Sequence, residues 1–92
     1  MQTSATIIAL RGELDLSNVA ALRASLGTIS GPAVVDLSDV TYLDSTALYE
    51  LDAFRRRVGS VALVVASPNV RRTLEIVGFQ KFFRVVEGRD FL

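Results

Sequence analysis

Short apolar runs alternate with helical patterns along the chain, and this alternation constrains the fold more than any other feature. The clearest run, Val61–Ala66, is rich in β-branched valine and too short for most helices. Strands are also predicted at Ala5–Leu10, Ala33–Asp36 and Phe82–Val86. Apolar strands separated by helices are typical of a parallel sheet with crossover connections. The sequence therefore predicts an α/β fold with a four- to five-stranded mixed, largely parallel sheet and alternating helices.

Three segments between these strands repeat apolar residues at spacings of three and four, which indicates helices with one buried face. The repeating residues are Val19, Leu22, Leu26 and Ile29; then Ala47, Leu51, Phe54 and Val58; then Val70, Leu74 and Val77. Asp15 or Ser17 is expected to cap the first helix and Ser67 the third. A polar turn is predicted around Ser38-Asp39, before a further apolar segment.

The length and the missing residue types exclude several classes of function. A chain of 92 residues accommodates one domain, so residues 1–92 are predicted to form a single one. Because the chain has no His, a serine nucleophile would have no imidazole base. Because it also has no Cys, it has no thiolate chemistry and no thiolate metal ligand. We expect no catalytic residue, no cofactor and no metal site.

Charge and hydropathy exclude two further kinds of partner. Ten basic and ten acidic residues give a formal net charge of zero, which offers no bulk attraction to nucleic acid. The cluster Arg55-Arg56-Arg57 is interpreted as a basic helix end. No apolar stretch is long enough for a membrane span, so no membrane insertion is expected. Residues 1–4 show no signal-peptide pattern, which predicts a cytoplasmic protein.

The densest polar cluster is Asp44-Ser45-Thr46, directly before the second helix. Unpaired N–H groups and the helix dipole favour an anion there, so a hydroxyl at this place is a candidate phosphorylation site. The same residue types are also the usual helix caps, and both interpretations are compatible. Asp36, Asp39 and Asp44 could suggest a hard-cation site, but carboxylates are common at strand ends and turns without any metal.

The wider segment Val34–Leu48 resembles the signature of the STAS family, the sulfate-transporter and anti-sigma-factor-antagonist domain. Gly12-Glu13-Leu14-Asp15 resembles the family's first turn. Ser67-Pro68 before a helix and Leu74–Phe79 before the last strand resemble its C-terminal part. The resemblance extends over nearly the whole chain, and its central segment is the most specific part.

The resemblance implies a regulatory module. Stand-alone members of the family are anti-sigma factor antagonists, which bind an anti-sigma factor when unphosphorylated and so release the sigma factor. The anti-sigma factor is often itself a serine kinase that phosphorylates the antagonist, and a serine phosphatase reverses the modification. The family's phosphoacceptor falls on Ser45, with Thr46 as second choice. The resemblance also assigns Asp15, Asp44, Ser45 and Thr46 to the partner-binding surface.

A second function stays open beside this one. The family usually has Gly where this chain has Ala47, and similar STAS domains act as docking subunits of ABC-type lipid transporters or of stress-sensing assemblies. Exposed apolar residues among Phe79, Phe82 and Phe91 are expected to favour association, so a homodimer is a further expectation. Tyr42 and Phe54 are instead expected in the core.

Overall fold

The computed structural model of the chain describes residues 5–88. Four strands form one parallel sheet in the order β1-β2-β3-β4, and three α-helices and a short 3₁₀ helix connect them. The strands are β1 (Thr6–Leu14), β2 (Ala33–Leu43), β3 (Val61–Val65) and β4 (Arg84–Glu87). The helices are α1 (Val19–Gly27), α2 (Ser45–Val58) and α3 (Pro68–Val77), and the 3₁₀ helix is Phe79–Lys81. The predicted α/β fold is confirmed, and every strand pair within residues 5–88 is parallel.

All three α-helices pack on the same face of the sheet. Strands that follow one another in sequence order, with right-handed crossovers, place every connecting helix on one side. Accordingly Val35 and Leu63 lie in the same buried cluster as Leu22, Leu51 and Leu74 from the three helices. The opposite face carries no helix among the described residues, and this leaves alternate positions such as Val34 half-buried.

The predicted turn at Ser38-Asp39 is wrong, because β2 runs continuously through both residues. The pairing of the two strands shows that β2 has one extra residue at each of two places. Ala9 pairs with Asp36 but Arg11 pairs with Asp39, so three steps along β2 match two along β1. The second extra residue of β2 lies opposite the step from Gly12 to the next residue of β1. The side chain of Asp36 accepts a hydrogen bond from the backbone N–H of Ser38 at 2.9 Å. The polar pair therefore marks a bulge in a strand, which local sequence chemistry does not distinguish from a turn.

The first strand is also longer than predicted, since it continues to Leu14 through a glycine. Gly12 has a φ of 82° and is exposed, so the polar segment after Leu10 is an irregular part of β1. The cap predicted for α1 is wrong as well. Asn18 takes the N-cap position and makes no side-chain cap bond, whereas Asp15 accepts hydrogen bonds from the backbone N–H and the hydroxyl of Ser17.

The aromatic residues are divided between core and surface. Phe54 is buried as predicted, but Tyr42 is 44% exposed, so its expected place in the core is wrong. The last strand begins later than predicted because the 3₁₀ helix precedes it, with the ring of Phe79 stacked on Phe83 at 4.9 Å. Phe82 is exposed, as expected; Phe91 lies outside the described residues.

Candidate functional site

The loops that follow the strands meet at one end of the sheet, as expected where parallel strands end together. The backbone N–H of Asp44 donates to the carbonyl of Leu14 at 3.1 Å, which joins the ends of β2 and β1. The side chain of Asn69, in the first turn of α3, donates to the carbonyl of Thr41 at 3.1 Å. The loop after β1, the start of α2 and the start of α3 therefore form one continuous surface.

The side chain of Asp44 connects two parts of this surface, the start of α2 and the loop before α1. Its Oδ1 accepts a hydrogen bond from the backbone N–H of Ala47 at 3.0 Å, which caps α2 as the sequence predicted. Its Oδ2 accepts from the backbone N–H of Leu16 at 3.0 Å, in the loop before α1. Because both oxygens bond backbone groups, the carboxylate fixes the position of that loop against the start of α2.

Ser45 and Thr46 are the first two residues of α2, and they differ in accessibility. Ser45 is exposed, and its hydroxyl donates to and accepts from no other residue within 5–88. Thr46 is half-buried. The N–H groups in the first turn of a helix have no intrahelical partner, and Asp44 satisfies only the one at Ala47. An anion attached to Ser45 would therefore meet a partial positive charge.

The loop that contains Asp15 presents an apolar side chain next to this helix start. Asp15 is half-buried and bonded to Ser17, whereas Leu16 is 71% exposed. Leu16 was not among the residues that the sequence predicted at this surface. The available signal was its position between two polar residues, outside the apolar spacing of the first helix.

A groove of about 320 Å³ extends from Ser45 along α2 towards the end of α3. Its walls are Ser45, Leu48, Tyr49, Asp52, Val77 and Phe79. Tyr49 is 65% exposed and Val77 is 47% exposed, so the prediction that Val77 lies on a buried face is wrong. Val77 is the last residue of α3, and its side chain lines the groove together with Phe79.

The charged groups near the far end of the groove are engaged within the chain. Asp52 pairs with Arg55 at 2.9 Å and with Arg56 at 3.2 Å. Arg57 donates to the carbonyls of Ile29 and Leu26, both at 2.8 Å. The three arginines thus close the end of α2 and brace the segment after α1, in agreement with their interpretation as a helix end.

Between residues 5 and 88, no group of three or more acidic side chains is arranged to hold a metal ion, and Asp36, Asp39 and Asp44 do not form one. Over the same residues, none of the helices combines the length and apolar character that crossing a membrane requires.

Comparison with known proteins identifies the family. The family model described as STAS domain matches residues 1–90. The anti-sigma-F factor antagonist RsfB of Mycobacterium tuberculosis is 37% identical over 86 residues, which cover 86% of this chain and 70% of RsfB. A STAS-domain containing protein of Pseudomonas aeruginosa is 41% identical over 56 residues, which cover 56% of this chain and 55% of that protein.

Two solved structures share the fold. An anti-sigma factor antagonist from Mycobacterium paratuberculosis superimposes with a TM-score of 0.79 at 27% identity, over 87% of this chain and 74% of that one. The anti-sigma factor antagonist SpoIIAA in its unphosphorylated form gives a TM-score of 0.74 at 22% identity. That match covers 98% of this chain and 87% of SpoIIAA, and at this identity it supports the fold alone.

Proposed function

The chain belongs to the STAS domain family, and we propose on this basis that it is an anti-sigma factor antagonist. In its unphosphorylated form it binds an anti-sigma factor of the serine kinase type in the cytoplasm, and the sigma factor is released. Phosphorylation of Ser45 ends this complex, and a serine phosphatase restores it. The observation that carries the proposal is an exposed Ser45 hydroxyl at the first residue of α2, at the mouth of an apolar groove.

Exposure favours Ser45 over Thr46 as the phosphoacceptor. A kinase has to bring the hydroxyl to its own phosphate donor, and the half-buried Thr46 offers less access than Ser45. Since the Ser45 hydroxyl holds no other described residue in place, phosphorylation breaks no internal hydrogen bond. The fold is therefore expected to survive the modification unchanged.

The charge of the phosphate explains why phosphorylation would release the anti-sigma factor. A phosphoserine carries about −1.5 to −2 charges at neutral pH. The start of α2 favours that charge, whereas the neighbouring carboxylate of Asp44 opposes it. A partner side chain seated among Tyr49, Val77 and Phe79 would have to desolvate the new charge, which disfavours binding.

The partner surface has a polar end and an apolar end. Around the helix start it presents Asp15, Leu16 and Asp44, and the groove adds Tyr49 and Val77. Such a surface suits a partner with apolar side chains for Leu16 and the groove, and with hydrogen-bond donors or cations at the helix start. Ser45 itself acts as an acceptor of phosphate and not as a nucleophile in catalysis, because the chain contains no His to serve as its base.

The direct test uses the purified protein, an anti-sigma kinase encoded with it, and ATP. We expect a mass increase of one phosphate that is abolished by Ser45→Ala and retained by the matched variant Thr46→Ala. If Ser45→Ala still gained the phosphate and Thr46→Ala did not, the phosphoacceptor would be Thr46. No modification of the wild type, by a kinase that phosphorylates another antagonist, would overturn the switch.

A second candidate function is constitutive docking in an ABC-type lipid transporter or a stress-sensing assembly. It is favoured by Ala47, which stands where the family usually has Gly and is fully buried in an ordinary capped helix. In that case the surface around Ser45 would bind its partner regardless of charge. Stable co-purification with a transporter ATPase, unaffected by Ser45→Asp, would support docking over switching.

A further inference from the structure

We propose that the protein forms a two-fold homodimer in which β1 pairs antiparallel with β1 of a second copy, with the axis at Ala9. Within residues 5–88, β1 is an edge strand of nine residues that pairs only with β2. An unpaired edge of this length offers its outward N–H and C=O groups to another strand. The inference does not depend on the proposed function, because the edge is not part of the surface around Ser45.

The direction of the backbone groups defines the available edge. The N–H of Thr6 donates to the carbonyl of Pro32 at 3.0 Å, so Thr6 faces β2. Leu14 faces the same way, since its carbonyl accepts from the N–H of Asp44. Both extra-residue positions lie on β2, and the irregular Gly12 comes after Arg11, so β1 keeps its two-residue alternation from Thr6 to Arg11. The backbone groups of Ile7, Ala9 and Arg11 therefore point outwards.

The available edge ends before Glu13. The side-chain Nδ2 of Asn18 donates to the carbonyl of Glu13 at 2.7 Å, and its Oδ1 accepts from the N–H of Asp15 at 3.0 Å. These bonds occupy the last outward carbonyl of β1 and prevent a ladder from continuing past it. The free segment thus runs from Ile7 to Arg11, and its central residue is Ala9.

This segment is complementary to itself. Antiparallel pairing about Ala9 places Ile7 opposite Arg11 of the second copy, where the arginine stem can cover the isoleucine. Ile7 is 59% exposed in the single chain and would be covered by this contact. The two Arg11 side chains would lie four residues apart along the ladder, about 14 Å, which exceeds the Debye length of about 8 Å at physiological salt. A formal net charge of zero adds no repulsion between copies.

On the face of the sheet that carries the helices, a cleft next to β1 can accommodate Ile8 of the second copy. A cleft of about 190 Å³ lies between β1 and α1, with Leu10, Ala21, Leu22 and Ser25 among its walls. Pairing about Ala9 places Ile8 of the second copy opposite Leu10, at the mouth of this cleft. The exposed residues of α1 at this place, Ala21 and Ser25, are small and leave room for the incoming side chain. The two copies would bury apolar groups on both faces of the ladder.

Cross-linking tests the register directly, because the chain contains no Cys. Directly opposed residues in a hydrogen-bonded antiparallel pair have Cα atoms about 5.5 Å apart, within the range of a disulfide. Ala9→Cys is expected to give a covalent dimer under mild oxidation or with a short thiol cross-linker. The matched variant Ala24→Cys, exposed on α1, should stay monomeric. A mixture of Ile7→Cys with Arg11→Cys should cross-link faster than either variant alone.

Sedimentation velocity over a range of concentrations tests the dimer without a covalent bond. The wild type should show concentration-dependent dimerisation, which Ala9→Arg should weaken by about tenfold or more because it sets two like charges at the axis. Ile76→Arg, at an exposed apolar position on α3, is the control and should leave the dimer intact. A wild type that is monomeric at roughly 1 mM would overturn the proposal. So would a dimer sensitive to Ile76→Arg and insensitive to Ala9→Arg.

Discussion

Oδ2 of Asp44 accepts a hydrogen bond from the backbone N–H of Leu16 at 3.0 Å, across 28 residues of sequence. The other oxygen of the same carboxylate caps α2 through the N–H of Ala47. One side chain therefore positions both the exposed Leu16 and the helix that begins at Ser45. The relative placement of the two parts of the proposed partner surface depends on this carboxylate.

Removal of this carboxylate should destabilise the fold. Asp44→Ala loses the cap and the bond to Leu16, and a lost cap alone costs about 0.5–2 kcal/mol. Asp44→Asn can keep the cap through its amide oxygen but offers the N–H of Leu16 no second acceptor, so a smaller loss is expected. Urea unfolding of the three proteins measures the difference. Equal stability of Asp44→Ala and wild type would show that the two bonds contribute nothing to folding.

The sequence predicted the contacts between residues that are close along the chain, and it did not predict the contacts between distant residues. The cap at Asp44 and the helix start at Ser67 were predicted because capping involves residues three apart. The bond from Leu16 to Asp44 was not, since it joins two loops that only the parallel sheet brings together. The candidate phosphoacceptor likewise followed from a local pattern and a family resemblance, whereas the groove beside it required the packing of α2 near α3.

The errors have the same physical origin. Ser38-Asp39 has the composition of a turn, but pairing with β1 extends the strand through it as a bulge. Tyr42 has a core-type side chain, yet it lies in the part of β2 that continues beyond the end of β3 and is exposed. In both places the tertiary pairing of β2 overrides the local preference.

Two glycines in comparable positions should respond in opposite directions to alanine. Gly78 ends α3 with a φ of 79°, a conformation that an L-residue adopts only with strain, so Gly78→Ala should lose about 1 kcal/mol. Gly27, the last residue of α1, has no positive φ and has open space where the methyl group of an alanine would lie. Gly27→Ala should be neutral or more stable by up to about 1 kcal/mol. Thermal unfolding of both variants distinguishes them, and a loss at Gly27 as large as that at Gly78 would contradict this interpretation of the backbone.

The ion pair between α1 and α2 should make stability depend on pH. Arg23 donates to Glu50 at 2.9 Å, and this hydrogen bond lowers the pKa of Glu50 below its usual 4.5. A carboxylate with a lowered folded pKa contributes stability above its unfolded pKa, and the contribution is lost as pH falls through the folded value. Because Arg23 is largely exposed, the contribution is small and screened by salt.

Urea unfolding of wild type and Glu50→Gln at several pH values measures this contribution. The wild type should be the more stable protein at neutral pH, and the difference should disappear in acid below the usual carboxyl pKa. Added salt at neutral pH should also reduce it. A difference that persists unchanged in acid would assign it to packing and not to the charge of Glu50.

Truncation of Tyr49 should separate binding from stability. Because Tyr49 is 65% exposed, Tyr49→Ala should change the free energy of unfolding by no more than about 0.5 kcal/mol. An aromatic anchor in a docking groove contributes roughly 1–2 kcal/mol or more to binding, so affinity for the anti-sigma factor should fall by about tenfold. Phe82→Ala, similarly exposed but outside the groove, is the matched control and should bind normally. Equal affinities of all three proteins, by calorimetry, would remove the groove from the partner surface.

The most direct test of the switch compares the affinity of the anti-sigma factor for the unmodified protein and for the protein phosphorylated at Ser45. Calorimetry with the purified partner, without added ATP, should show tight binding of the unmodified form and a loss of roughly a hundredfold or more on phosphorylation. Phe82→Ala, outside the groove, serves as a control that should bind and switch as the wild type does. Equal affinity of the two forms would contradict the account, and it would leave Ser45 as part of a docking surface that no phosphate controls.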